Sequence, residues 1–278
     1  MDLEATEEQK LIVAQVRRFV REEIVPLEAS LDPDASEIAP ADFARLSAQV
    51  KAMGLWGLDI PAEFGGPGVD LVTRTLLAVE MAQHRAGLYA PCYGVFGGAG
   101  LAQLFEANQE QKERFLFPML RGEKRGFFGL TEPSGGSDPA RAIQTRATRD
   151  GNDWIINGSK VFISGADRAQ FGLVFARTDS AKGREGVTCF IVETDMPGFH
   201  VRRVVHTLRS THYATELQFE DLRVPQRNVL GEVNRGFAIA NDRLSRQRIP
   251  YAAACIGIAV KAQEMAIGYA KLRDTFGA

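Results

Sequence analysis

Leu130-Thr131-Glu132-Pro133-Ser134-Gly135-Gly136-Ser137-Asp138 is followed some twenty residues later by Asn157-Gly158-Ser159-Lys160-Val161-Phe162-Ile163-Ser164. In chemical terms Gly135-Gly136-Ser137 is a flexible turn that can present backbone N–H groups and a hydroxyl to an anion. A short Gly/Ser turn can equally be a turn and nothing more. Outward from these stretches the pattern is β-rich. Between Gly126 and Gly231, short runs alternate with turn signals: Asp153-Trp154-Ile155-Ile156 before Asn157-Gly158 read as a turn, then Phe171 to Ala176, Val187 to Val192, and Glu216 to Phe219. Strands at this spacing predict a barrel or sandwich.

Further out the chain is helical. Leu11, Ile12, Val16, Phe19 and Val20 recur at helical spacing behind Thr6, Glu7 and Glu8, predicting a helix from Thr6 to about Val25 that stops near Pro26. A second helix is expected from about Pro40 to Met53, closed by Gly54, and a third from near Leu71 after a Gly/Pro-rich loop. Beyond Asn234, Phe237 to Arg246 and Ala252 to Tyr269 read as two further helices, the second so apolar that it needs packing partners.

At 45% hydrophobic and 24% charged, the 278 residues suffice for a buried core in a globular protein. A net charge of −2 offers no bulk attraction for nucleic acid or an anionic membrane. Cys92, Cys189 and Cys255 are too widely spaced for a metal site, and buried thiols in a reducing compartment are expected. His84, His200, His206 and His212 show no metal-ligand spacing and read as surface or structurally satisfied histidines; no metal is expected. The acidic start, without an early apolar run, argues against a secretory or transit segment, and no run reaches membrane-spanning length. A bacterial cytoplasmic protein or a mature mitochondrial matrix protein fits.

The two opening stretches resemble, in order and spacing, the signatures of the flavin-dependent acyl-CoA dehydrogenase family: T-E-P-x-x-G-S-D at Thr131 to Asp138, and N-G-x-K-x-[WF]-I-[TS] at Asn157 to Ser164. The resemblance extends to Leu58 to Gly66, Phe219 to Pro225, Leu230-Gly231-Glu232 with Gly236-Phe237, and Arg273-Asp274-Thr275-Phe276-Gly277. It implies an α+β multidomain fold: an N-terminal all-helical domain (1–122), a central β-barrel or sandwich domain (123–233), and the first helices of a truncated C-terminal four-helix bundle (234–278).

The resemblance also implies FAD as cofactor. It places Leu130 and Thr131 along the isoalloxazine, Ser137 near the flavin phosphates and the substrate, Phe162 by the flavin face and Ser164 near its N5 and O4. Arg273 and Phe276 match residues that reach the flavin of an adjacent subunit, a task that suits a guanidinium's fixed fork of donors. Arg248 aligns with an arginine near the acyl-CoA entrance, and Ser245 stands where an aspartate often meets the CoA portion. The implied reaction is α,β-dehydrogenation of an acyl-CoA thioester to trans-2-enoyl-CoA. Implied partners are the acyl-CoA, an electron-transfer flavoprotein as acceptor, and further copies of the chain in a dimer or tetramer.

The family's base is a glutamate far along the bundle or, in a minority, the residue before the matched arginine. Here that residue is Gln247. No catalytic base is therefore assigned, and the expectation is a piece of a longer enzyme, with a complementing second chain as the alternative. Competing readings are a flavin monooxygenase or oxidase on the same scaffold, against which Thr131 to Asp138 weighs, and a non-catalytic flavin- or acyl-CoA-binding subunit.

Overall fold

Helix α1 (Glu7–Phe19) starts at a reciprocal cap: the Gln9 amide donates to Thr6 Oγ1 (3.2 Å) and the Thr6 amide to Gln9 Oε1 (3.0 Å). The computed structural model describes residues 4–32, 34–84, 90–207 and 214–276. It contains two compact units, Met1–Gly98 with Arg246–Ala278, and Ala99–Ser245.

In the first unit α1 does not stop near Pro26 as the sequence suggested. It runs through a π-helical turn, Val20–Ile24, into α2 (Val25–Ala29). Proline lacks an N–H and its ring crowds the carbonyl four residues back. The wider turn, in which the Val25 amide donates to the Val20 carbonyl, accommodates it. Two more helices follow near their expected places, α3 (Pro40–Ala52) and α4 (Leu71–Met81), the latter capped by Asp70, whose Oδ1 accepts from the amides of Val72 and Thr73. Val16, Phe19, Val20 and Ile24 pack with Leu46, Val50, Leu77 and Phe96. Leu11, counted on the apolar stripe, is instead 72% exposed. Arg17 makes a two-pronged bond to buried Glu80 (3.0 and 2.8 Å). Buried Glu28 accepts from the Cys92 amide (3.0 Å) and meets His84 Nδ1 (3.0 Å). Burial, then the Glu28 charge, pushes the Cys92 thiol up to about 12, so it stays protonated.

The second unit opens with short helical turns, α5 (Gln109–Gln111) and α6 (Phe117–Leu120). The sheet strands are β1 (Gly126–Gly129), β2 (Arg146–Asp150), β3 (Asp153–Ser164), β4 (Phe171–Arg177), β5 (Val187–Glu193), β6 (Phe199–Val205), β7 (Ala214–Pro225) and β8 (Val229–Leu230), with α7 (Pro139–Ala142) between β1 and β2. They form one sheet in the order β6-β7-β3-β2-β4-β5-β8, with β1 pairing parallel to β4. The four expected runs all lie in strands. Central β4 and β5 are buried along nearly their whole length and so read as continuous apolar runs, as doubly covered strands do. The core joins Phe127, Trp154, Ile156, Val174, Phe190, Leu217 and Phe219.

Asn157-Gly158, expected as a turn, lies inside β3. Its glycine is needed because a Cβ at Gly158, whose φ is +148°, would stand 2.6 Å from Thr145 Cα. β3 and β7 slip register twice. Between the pairs Ile156–Leu222 and Gly158–Phe219 the extra residue is on β7, and between Lys160–Leu217 and Ile163–Thr215 it is on β3. Asp221 carries the first bulge with φ 47°, and Phe162 the second with φ 58°.

The chain then forms a single helix, α8 (Gly236–Leu272), rather than the two expected, with Pro250 inside it. At 1.5 Å per residue it is about 55 Å long. In the second unit Arg243 sits over the Phe128 ring (4.6 Å) and donates to the Gly100 carbonyl (2.9 Å). In the first unit Gly257 lies against Val79, where a Cβ would come within 2.1 Å of the carbonyl oxygen. Cys92 and Cys189 are buried as expected, whereas Cys255 is exposed on α8. Among the described residues no helix is long and apolar enough to cross a membrane.

Candidate functional site

The segment after β1 folds back on itself. The Gly135 amide donates to the Glu132 carbonyl (3.1 Å) and Ser134 Oγ to the Ala142 carbonyl (2.9 Å), which leaves Ser137 exposed on the turn. Leu130 is buried and Thr131 half-buried. The Thr131 carbonyl accepts from the Val161 amide at 3.0 Å, so the two motif stretches lie side by side, joined by a backbone hydrogen bond.

Beneath this junction lies a buried ion pair that the sequence analysis passed over. Lys160, fully buried, donates to Glu132 Oε1 (2.7 Å), the Phe175 carbonyl (2.6 Å) and the Leu130 carbonyl (3.3 Å), using all three ammonium protons. Glu132 in turn accepts from the amides of Gln144 (2.6 Å) and Thr145 (3.1 Å). Burial alone would raise the Glu132 carboxyl, but the charge and hydrogen bond of Lys160, with the two amides, hold it below the usual carboxylate range. Burial pulls Lys160 down to about 8 against the opposing pull of Glu132. A signal was available. Trp154, Ile156 and Lys160 share the inward-facing parity of β3, and a lysine at an inward position demands an acidic partner.

Two residues beyond Lys160 the strand bulges. A left-handed φ is uncommon for any non-glycine and costly for a bulky aromatic, yet Phe162 adopts it and leaves its ring 59% exposed. Ile163 returns to the core, its carbonyl held by Thr215 Oγ1 (2.9 Å), and Ser164 is again exposed. The second unit thus gathers Leu130, Thr131, Phe162 and Ser164 along two hydrogen-bonded segments, with Ser137 on the adjoining turn. The remaining expected residues lie elsewhere. Ser245 is exposed on the part of α8 that belongs to the second unit. Gln247, half-buried, and Arg248, exposed, belong to the first unit, as do exposed Arg273 and fully exposed Phe276 just after α8. Gly277, the last residue of that motif, lies outside the described residues. His84 is satisfied by Glu28, and His200 is exposed, 4.0 Å from Glu220. His206 is exposed, and His212 lies outside the described residues.

The family model described as acyl-CoA dehydrogenase, middle domain, matches residues 127–222, which hold both motif stretches, and the N-terminal domain model of the same family matches residues 6–123. The chain is 36% identical over 279 aligned positions to the short-chain specific acyl-CoA dehydrogenase of Clostridium acetobutylicum, covering all of this chain and 72% of that protein. It belongs to the acyl-CoA dehydrogenase family. Among solved family structures, butyryl-CoA dehydrogenase from Megasphaera elsdenii superposes with a TM-score of 0.77 at 32% identity, over 100% of this chain and 72% of that one. A glutaryl-CoA dehydrogenase from Mycobacterium smegmatis, solved in complex with FADH2, superposes with a TM-score of 0.74 at 27% identity, over 98% and 67% of the two chains. This acyl-CoA dehydrogenase family is one of flavin-dependent oxidoreductases, and its helical N-terminal domain and central β-sheet domain correspond to the elements described above.

Proposed function

We propose that the protein performs FAD-dependent α,β-dehydrogenation of an acyl-CoA thioester, giving the trans-2-enoyl-CoA. The observation that carries this reading is the bond from the Val161 amide to the Thr131 carbonyl, which makes one surface of the two family signatures. That surface fits a flavin. It offers an exposed aromatic ring on a strained bulge, a half-buried threonine and an exposed serine as polar neighbours, and an exposed Gly/Ser turn suited to phosphate oxygens.

In this reading Leu130 and Thr131 run along the isoalloxazine, and Phe162 packs its ring by the flavin face. Ser164 offers a hydroxyl near N5 and O4, and Ser137 lies beside the phosphates and the substrate. Arg273 and Phe276 serve the flavin of a neighbouring copy, and Ser245 and Arg248 meet the CoA portion. FAD, when bound, supplies a two-electron acceptor. The protein's task is to orient the thioester, exclude water, and polarise the carbonyl so that the α-proton becomes acidic. The Gln247 carboxamide cannot accept that proton as a base, so bleaching requires a carboxylate outside the assigned residues to take it. An electron-transfer flavoprotein as acceptor and a dimeric or tetrameric assembly belong to the same proposal, supported by likeness to the family.

The test is anaerobic addition of acyl-CoA thioesters, beginning with short acyl chains, to the FAD-loaded protein. Bleaching of the visible flavin band is expected. A perturbed but unbleached band would assign a non-catalytic binding role, and product formation that requires oxygen would assign an oxidase or monooxygenase. Gln247→Glu, which puts a carboxylate where some family members carry their base, is expected to bleach about a hundredfold or more faster than wild type, within the usual range for general-base catalysis of about 10²–10⁴-fold. Equal rates would remove that position from the reaction.

A further inference from the structure

We propose that the buried Glu132–Lys160 pair is a positioning device for the flavin: it clamps Leu130–Thr131 to Val161–Phe162 and so holds the left-handed Phe162 bulge against which the isoalloxazine rests. The inference builds on the flavin assignment above and adds a role for two residues that do not themselves face the flavin.

The geometry is that of a clamp. Around one ammonium converge the Leu130 carbonyl, the Phe175 carbonyl of β4 and the Glu132 carboxylate, at 3.3, 2.6 and 2.7 Å. Glu132 reaches onward to the amides of Gln144 and Thr145, just before β2. The segment after β1 and strands β3 and β4, with the approach to β2, are therefore fixed by two side chains. Glu132 is the residue after Thr131, and Lys160 is two before Phe162. A well-packed apolar pair of similar volume would serve stability as well or better, because desolvating two charges offsets much of their attraction. What an apolar pair lacks is direction. Three hydrogen bonds from one Nζ fix Lys160 against the Leu130 and Phe175 carbonyls, two residues before the extra residue of β3 at Phe162.

The experiment compares wild type, Glu132→Gln, Lys160→Met and the double variant E132Q/K160M by three measurements. These are FAD affinity, stability to urea, and hydrogen exchange of the Val161 amide in FAD-free protein. Lys160→Met strands a buried carboxylate and is expected to lose stability, whereas the double variant carries no stranded charge and recovers most of it. If the pair positions the flavin, FAD affinity stays about tenfold or more below wild type in both. This scale is borrowed from metal centres, where losing a partner that orients a ligand costs about 10–100-fold. The Val161 amide should exchange at least tenfold faster in both variants. A double variant that regains wild-type FAD affinity along with its stability overturns the proposal, since the pair would then serve stability alone. Unchanged Val161 exchange overturns it as well. If wild type takes up no FAD, the cofactor assignment fails, and the exchange measurement still decides the clamp: faster exchange in the variants supports it, and equal exchange overturns it.

Discussion

β3 and β7 slip past one another twice, and the two slips are held in different ways. On β7 the extra residue falls at Asp221, a type that tolerates left-handed backbone. Asn157 secures it across the strands, donating to Asp221 Oδ1 (3.0 Å) and accepting from the Asp221 amide (2.9 Å). On β3 the extra residue falls at Phe162, which has no such tolerance, and its support comes from underneath through Lys160. The first bulge is explained by its own hydrogen bonds. The second holds an aromatic ring in water at a conformational cost of about 1–3 kcal/mol, and that cost has a reason only when something rests on the ring.

The contrast can be broken or sharpened at three points. The largest effect is expected from pH. Lys160 titrates near 8 in the folded protein against an ordinary 10.5, so between these values the unfolded chain holds a proton that the folded chain has released. This group's contribution to stability therefore rises with pH through that window. The stability difference between wild type and K160M in urea should change with pH across the window, and parallel curves would mean that Lys160 does not titrate there. On the acid side the lowered Glu132 works in the same sense, in a lower pH window. Its contribution is present above the unfolded carboxylate value and is lost as pH falls below it.

Next is Asn157→Ala, which removes both bonds to Asp221 and is expected to cost about 1 kcal/mol in thermal or urea unfolding. It should leave FAD affinity unchanged, and weakened flavin binding would mean that the two bulges are not separate devices. The smallest effects come from glycine. Phe162→Gly should stabilise FAD-free protein by up to about 1 kcal/mol as the left-handed strain is released, while lowering FAD affinity. Asp221→Gly should shift stability by only a few tenths of a kcal/mol. Equal responses from the two would erase the distinction.

The residue pattern revealed the β region and the early helices because each buries apolar side chains at a regular period. It missed where local rules yield to tertiary context. Pro26 reads as a stop, yet a π turn absorbs it. Asn157-Gly158 reads as a hairpin turn, yet the asparagine braces Asp221 across the sheet and the glycine lets Thr145 approach. Phe237 to Arg246 and Ala252 to Tyr269 read as two helices, yet α8 runs unbroken through both with Pro250 inside it. The candidate site residues were assigned through family likeness, which points to what would face a ligand. The Glu132–Lys160 pair faces inward, and its meaning depends on four segments that meet only in three dimensions.

The Asn157–Asp221 brace spans 64 residues, and β7 ends at Pro225. The helical core drawn from Val16 to Phe96 is complete in sequence long before that. On a ribosome adding roughly 5–20 residues per second, the last strand of that pairing emerges about 6 to 26 s after the final core residue of the helices. For about the second half of that interval Lys160 has been made but has no finished sheet to enclose it. The residues of the helical core thus precede the β segment from the ribosome, and the ladder between β3 and β7 can close fully only once Pro225 has emerged.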